Sequence, residues 1–160
     1  MCIYNVKKVK VKEPITVYKV LRYRPMCGFL TPFRDYLVDK DIIAGKVPLE
    51  AERPNFTPYR PEYGIDVGYI HAYADLTDAV NEYYDYYTRT GSGIATIFEC
   101  RIDPSDDDNY CWVGDFDSYP YNKTYAARRM TFVRQLQRDE VRAIRYKYLE
   151  ENPASNKKPK

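Results

Sequence analysis

The segment IATIFECRI, residues 94–102, alternates between two sets of side chains and predicts a β-strand. Alternate residues form one largely apolar face: Ile94, Thr96, Phe98, Cys100 and Ile102. The residues between them form the other face: Ala95, Ile97, Glu99 and Arg101. The segment TVYKVLRY, residues 16–23, alternates in the same way with bulky side chains on both faces, which predicts a central strand.

Two helices are predicted to cover one face of the sheet. Residues 75–87 repeat apolar side chains at helical spacing, Asp75 is a suitable N-cap, and the glycines in residues 90–93 end the helix. Residues 139–151 form a second amphipathic helix, for which Asp139 is the predicted N-cap. Further strands are predicted at residues 2–11, 110–113 and 125–136.

These elements predict an α+β fold, because the strands do not alternate regularly with helices. We expect a single domain over residues 1–151, built on a mostly antiparallel sheet of about five or six strands with two helices. Prolines recur through residues 25–61, which predicts a long irregular segment with one short strand near 36–38. Residues 152–160 are expected to form a flexible basic tail.

The composition favours a binding surface over a deep catalytic pocket. The 160 residues include 18 tyrosines but one histidine and one tryptophan, and tyrosine suits half-buried contact surfaces. The side chains predicted to bind are four tyrosines in proline-punctuated loops and two adjacent arginines: Tyr59, Tyr63, Tyr119, Tyr121, Arg128 and Arg129. Arginine and tyrosine are enriched at interface hot spots, so a protein partner is expected, with self-association as one form of it.

Membrane and metal-binding classes are disfavoured. No apolar run is long enough to span a bilayer, and no signal-peptide core follows the basic first residues. Four widely spaced cysteines predict reduced thiols in an intracellular compartment. The acidic run at 103–109 lacks the glycine and glutamate spacing of an EF-hand, so a solvated turn is favoured and no metal or cofactor is predicted.

Charge is segregated along the chain. Residues 1–24 hold seven bases and one acid, residues 103–118 hold six acids and no base, and residues 123–160 hold eleven bases and four acids. Basic ends that pair with the acidic segment, or that are solvated, are the favoured interpretation. Nucleic-acid binding through the basic ends is the weaker alternative, because no recognition helix is present.

His71 is the only imidazole and precedes the helix at 75–87. It could act as a general base, but without a partner at recognisable spacing a strand-end histidine bonded to a loop carbonyl is favoured. Glu99 and Arg101 share a strand face and are expected to pair with each other or with Arg128 and Arg129.

Several of these segments together resemble a family of small uncharacterised bacteriophage and prophage proteins. They are TVYKVL at 16–21, GYIHAY at 68–73, IFECRI at 97–102 and YAARRMTFVR at 125–134. In that family a GFHA segment precedes a short helix and an A-S-K-I-like strand closes the domain. Here Tyr69 and Ile70 replace the single aromatic before the histidine, and the proline-rich stretch is longer. The family carries no established activity. The resemblance implies a cytoplasmic location in a bacterial host, or a place in a virion if the chain is a structural part of a phage.

Residues 66–73 are also faintly similar to the strand-then-helix element of ADP-ribosyltransferase-like domains. This similarity implies a nucleotide-using enzyme, a toxin or a counter-defence factor, with His71, Tyr73, Arg22 and Glu99 as its weak catalytic candidates. The function favoured by the residues is instead a non-enzymatic binding or structural protein of phage type, with a contact surface rich in tyrosine and arginine.

Overall fold

The strands and helices lie within the parts of the chain that the computed structural model describes, residues 3–31, 37–51, 70–90, 94–104, 110–116 and 123–156. The strands are β1 Ile3–Lys10, β2 Ile15–Arg24, β3 Gly28–Leu30, β4 Leu49–Glu50, β5 Ile70–Tyr73, β6 Ile94–Ile102, β7 Tyr110–Phe116, β8 Lys123–Ala127 and β9 Arg129–Gln135. The helices are α1 Lys40–Ile43, α2 Leu76–Thr90 and α3 Arg138–Glu151, after which a 3₁₀ turn covers Pro153–Asn156.

The described strands form one antiparallel sheet, which confirms the predicted α+β class. Its order is β1-β7-β8-β5-β2-β6-β9-β4, and β3 pairs with β2 beyond this path. The longest continuous pairing joins β2 to β6 over nine residue pairs, from Ile15 opposite Ile102 to Tyr23 opposite Ile94. The two segments with the clearest alternation therefore lie side by side at the centre of the sheet.

The sheet curls because one continuous stretch of chain serves two distant positions in it. Strand β8 pairs with β5 and β7, and β9 pairs with β6 and β4. Only Arg128 separates β8 from β9 along the chain. Strand β2 pairs with both β5 and β6, so the ladders run from β8 through β5, β2 and β6 to β9. The chain itself joins the two ends of this run at Arg128, so the strands curl around an inner face.

Two apolar clusters occupy the two faces of the sheet. The inner face carries buried side chains from six strands, including Val17, Leu21, Phe98, Cys100 and Phe132. The opposite side, here called the helix face, is covered by α2 and α3. Its buried residues are Val20, Ala79, Val80, Ala95, Ile97, Leu136 and Val141. The alternation predicted for residues 16–23 and 94–102 is thus confirmed, because adjacent residues belong to different clusters.

The predicted count of five or six strands is wrong, because the described sheet has nine. Three of these strands have two to four residues, too few to show a period-two pattern. Two of them, β3 and β4, lie in the proline-rich stretch that was predicted to be irregular. The single strand predicted at 125–136 is divided by Arg128, and the predicted strand near 36–38 is one bridge between Leu37 and Leu30.

The described helices differ from the predicted ones in the N-cap of α3 and in their number, three against two. Asp75 does cap α2, since its Oδ1 accepts hydrogen bonds from the Thr77 and Asp78 backbone N–H groups at 2.7 and 3.3 Å. Asp139 does not cap α3: that helix begins one residue earlier, and its N-cap is Gln137, which makes no side-chain capping bond. The third helix, α1, has four residues. Residues 157–160 of the predicted tail lie outside the described residues.

Candidate functional site

Four side chains from four strands line up across the helix face. Tyr73 of β5 lies opposite Tyr18 of β2, Tyr18 lies opposite Glu99 of β6, and Glu99 lies opposite Arg134 of β9. Adjacent strands are about 4.8 Å apart, so these four positions span about 14 Å. We call Tyr73, Tyr18, Glu99 and Arg134 the polar row.

Arg134 holds one end of the polar row by pairing with two carboxylates. Its Nε donates to Glu99 Oε2 at 3.1 Å, and its two terminal nitrogens donate to the Glu140 carboxylate at 3.0 and 2.8 Å. The hydrogen bonds to Arg134 lower the pKa of Glu140, which is in the first turn of α3. The predicted partners of Glu99 are therefore wrong, and Arg101 pairs with Asp103 instead.

The phenol of Tyr18 occupies an acidic environment. Partial burial raises its pKa, and the nearby carboxylates of Glu99 and Asp75 raise it further. A raised pKa keeps the phenol protonated at neutral pH, so Tyr18 is a hydrogen-bond donor there and not a nucleophile. The polar row thus offers aromatic rings and carboxylates beside the capped start of α2.

His71 is a neutral histidine of the helix face and not a strand-end residue. It lies opposite Ala126 of β8, which in turn lies opposite Trp112 of β7. Burial lowers the pKa of His71 to about 4, and the positive charge of Lys19 adds to the effect. Within the described residues its buried Nδ1 has no hydrogen-bond partner, so the predicted ring-to-carbonyl bond is not among the described contacts.

Lys19 is a buried residue of the inner face that the sequence analysis did not single out. Its Nζ donates to the backbone carbonyl of His71 at 2.7 Å. Burial lowers the pKa of Lys19 to about 8. The only signal in the sequence was its position in the apolar set of β2, between Val17 and Leu21.

The register separates Arg22 from the polar row. Arg22 lies opposite Ala95 and four residues from Tyr18 along β2, which is about 13 Å of extended chain. The buried Val20 and its neighbours under α2 lie between them. The structure therefore brings Tyr73 and Glu99 to either side of Tyr18. Arg22 is separated from all three by the part of β2 that packs under α2.

The arginines predicted to bind lie at the bend between β8 and β9. Arg129 is exposed, with its Nε 3.7 Å from the Glu50 carboxylate, and the Arg128 carbonyl accepts a hydrogen bond from Ala51 at 2.8 Å. Both contacts hold β4 against β9. The four tyrosines predicted to bind, Tyr59, Tyr63, Tyr119 and Tyr121, lie outside the described residues, as does 105–109 of the acidic run.

The turn between β2 and β3 exposes apolar side chains. Cys27 N–H donates to the Arg24 carbonyl at 3.1 Å, and Met26 has a φ of +72°. A turn with proline at its second position and a positive φ at its third position is a type II turn, and the third position of such a turn favours glycine. The Met26 side chain is fully exposed, at 104%, and that of Leu37 is 63% exposed. We call the turn residues Arg24, Pro25, Met26 and Cys27, together with Leu37, the hairpin tip. Leu37 is included because its side chain lies over Gly28, which follows the turn.

The described residues contain neither a metal-binding cluster nor a membrane-spanning helix, and the chain matches no known protein family. In the described residues, no three or more histidine, cysteine or carboxylate side chains are grouped to hold a metal ion. No described helix is long and apolar enough to cross a membrane. No protein-family model, curated protein or solved structure matches the chain. The polar row and the hairpin tip are therefore the two described surfaces from which a function can be proposed.

Proposed function

We propose that this is a non-enzymatic binding protein that contacts a protein partner through the hairpin tip. The observation that carries the proposal is Met26, a large apolar side chain that is fully exposed at a position suited to glycine. A structural role in a phage particle, as the resemblance implies, is the form of binding that we favour.

Met26 stabilises neither the turn nor the core. A non-glycine residue in the left-handed region costs about 1–2 kcal/mol, and a fully exposed side chain recovers none of this through burial. Strained residues of this kind are concentrated where binding or catalysis requires them. Contact with a partner would bury Met26 and compensate for the strain.

The residue types around Met26 suit an interface. Methionine and arginine are enriched in interface cores, and Arg24 is exposed beside Met26. The hairpin tip itself carries one base, Arg24, and no acid. Charge complementarity therefore favours a partner surface that combines an apolar pocket with carboxylates.

Site-specific photo-crosslinking tests this proposal. A photoreactive phenylalanine replaces Met26 in one sample and Tyr146, which is 66% exposed on α3, in the matched control. Expression is in cells that naturally encode the chain. We expect a discrete adduct from position 26, either with a second copy of the chain or with another protein. An adduct with another protein should be prevented by excess unlabelled wild-type protein and not by excess Met26→Gly protein. Equal competition of such an adduct by the two proteins, or the same adducts from both positions, would contradict the proposal.

The alternative is a nucleotide-using transferase, and one observation favours it. Tyr73 and Glu99, both weak catalytic candidates, flank Tyr18 in the polar row. Calorimetry with NAD⁺ as the probe tests this alternative: it requires binding by the wild-type protein that Glu99→Gln weakens at least about tenfold, the effect of losing one good interaction. No heat of binding would reject it.

A further inference from the structure

We infer that the hairpin tip of one molecule binds the polar row of a second copy, so that molecules associate head to tail. This inference rests on the proposed function, because it takes the hairpin tip to be a contact surface and names its partner. It assigns both described surfaces to one interface.

The hairpin tip cannot bind the polar row of its own molecule. Tyr18 and Arg24 are six residues apart on β2, which is about 20 Å of extended chain. Strand β2 pairs with β6 along nine of its ten residues, so it is held straight and cannot fold back. A contact between these two surfaces must therefore join different molecules.

The two surfaces are chemically complementary. The hairpin tip presents a thioether and a guanidinium, from Met26 and Arg24. The environment of Tyr18 combines its own ring and that of Tyr73 with the carboxylates of Asp75, Glu99 and Glu140, against the single guanidinium of Arg134. Methionine sulfur makes favourable contacts with aromatic rings at about 5 Å. Arginine pairs with carboxylates through charge-assisted hydrogen bonds.

An apolar side chain also borders the polar row. Val133 precedes Arg134 at the irregularity where the β6–β9 register shifts, and it is 49% exposed. The Arg134 end of the polar row thus has an exposed aliphatic side chain beside it. Because each molecule carries both surfaces, the contact is heterologous and generates open chains or closed rings.

Sedimentation equilibrium of the purified full-length chain tests the inference. We expect concentration-dependent association of the wild-type protein that weakens as salt is added, because salt screens the exposed charges. Met26→Gly removes the apolar contact and suits the positive φ, and Arg24→Glu is a second variant of the hairpin tip. Each should weaken association at least about tenfold, as expected for an interface hot spot.

A paired variant removes charge from the polar row and from Asp75 beside it, with little change in shape. Asp75→Asn keeps a capping side chain for α2, and it is combined with Glu99→Gln. The double variant should also be monomeric. Mixed with Met26→Gly, it should form a one-to-one heterodimer, since each variant supplies the surface that the other lacks. The exposed pair Tyr146→Ser and Glu150→Gln on α3 is the matched control and should associate like the wild type.

Three results would overturn the inference. They are a wild-type protein that stays monomeric at the highest concentration reached, variants that associate normally, and a mixture of the two half-defective variants without a heterodimer. Photo-crosslinking separates these from failure of the proposed function. If position 26 forms a competed adduct with another protein while the wild type is monomeric, the head-to-tail contact is wrong and the proposed function stands.

Discussion

The ammonium of Lys19 donates a hydrogen bond to the carbonyl oxygen of His71, at 2.7 Å, and so joins β2 to β5. The backbone ladder of the described residues joins these strands at one pair, Tyr18 and Tyr73. The buried side chain therefore supplements a short ladder, at the position where the two strands connect the halves of the curled sheet.

Lys19 should make the protein more stable as pH rises from about 8 towards 10.5. Burial lowers its pKa from 10.5 to about 8, so in this range the unfolded chain binds more protons than the folded one. Urea midpoints between pH 7 and about 9 check this, since tyrosines with a pKa of about 10 are mostly protonated there. The wild-type midpoint should rise over this range relative to that of Lys19→Met, because the raised pKa values of Cys100 and Cys111 lower the stability of both proteins there. Parallel curves for the wild type and the variant would contradict the lowered pKa.

His71 should make the protein less stable as pH falls from 6.5 to about 4. Its pKa is lowered from 6.5 to about 4 in the folded state, so the unfolded state gains the proton first and unfolding is favoured. A shift of this size corresponds to a loss of at most about 3 kcal/mol. Denaturant unfolding at several pH values measures it, with His71→Gln as the control. The variant should lack this part of the slope, whereas equal slopes would exclude His71 as its source.

Met26→Gly should stabilise the fold, in addition to any effect on association. Glycine adopts a φ of +72° without strain, and the expected gain is about 0.5–1 kcal/mol after its greater chain entropy is counted. Gly28→Ala is the reciprocal control, since Gly28 has a φ of +108° and alanine there is strained. The comparison is made in dilute samples, so that the wild type and both variants are monomeric. A lower urea midpoint for Met26→Gly would contradict the strain argument.

Arg134→Ala should reduce stability by about 1 kcal/mol or less, because exposed ion pairs contribute little. It removes the guanidinium shared by Glu99 and Glu140 and leaves two carboxylates near Tyr18. The difference between wild type and variant should shrink as salt is raised. Arg134→Lys should restore only part of it, since lysine cannot bind Glu140 through a fork. A difference that does not depend on salt would point to packing.

Cys27 should react with a thiol reagent far faster than the other described cysteines. Cys27 is exposed at the hairpin tip, whereas Cys100 and Cys111 are buried. Burial raises the pKa of Cys100 to about 12 and also raises that of Cys111, and thiols, unlike thiolates, are unreactive. In a Cys2→Ser background we expect one fast thiol, which Cys27→Ser abolishes. Rapid labelling of Cys100 in the native protein would contradict its burial.

Local patterns predicted the long elements of the fold. Strands β2 and β6, which pair with each other over nine residue pairs, both have a period-two pattern that distributes their side chains between two clusters. Asp75 marks the start of α2 as its N-cap. Shorter elements were missed because two to four residues cannot show a period. Asp139 had the right residue type for a cap, but α3 begins one residue earlier than predicted, and helix ends are the least certain part of a prediction from local pattern.

The sequence by itself determined which side chains share a face: in a strand, alternation is a local property of the backbone. It placed Tyr18 with Val20 and Glu99 with Ile97, as observed. Only the tertiary structure decided which residues become neighbours across strands. Tyr73, Tyr18, Glu99 and Arg134 are brought together from distant parts of the chain by register. Register depends on which strands pair and at what offset, and a one-residue shift would send each side chain to the other face.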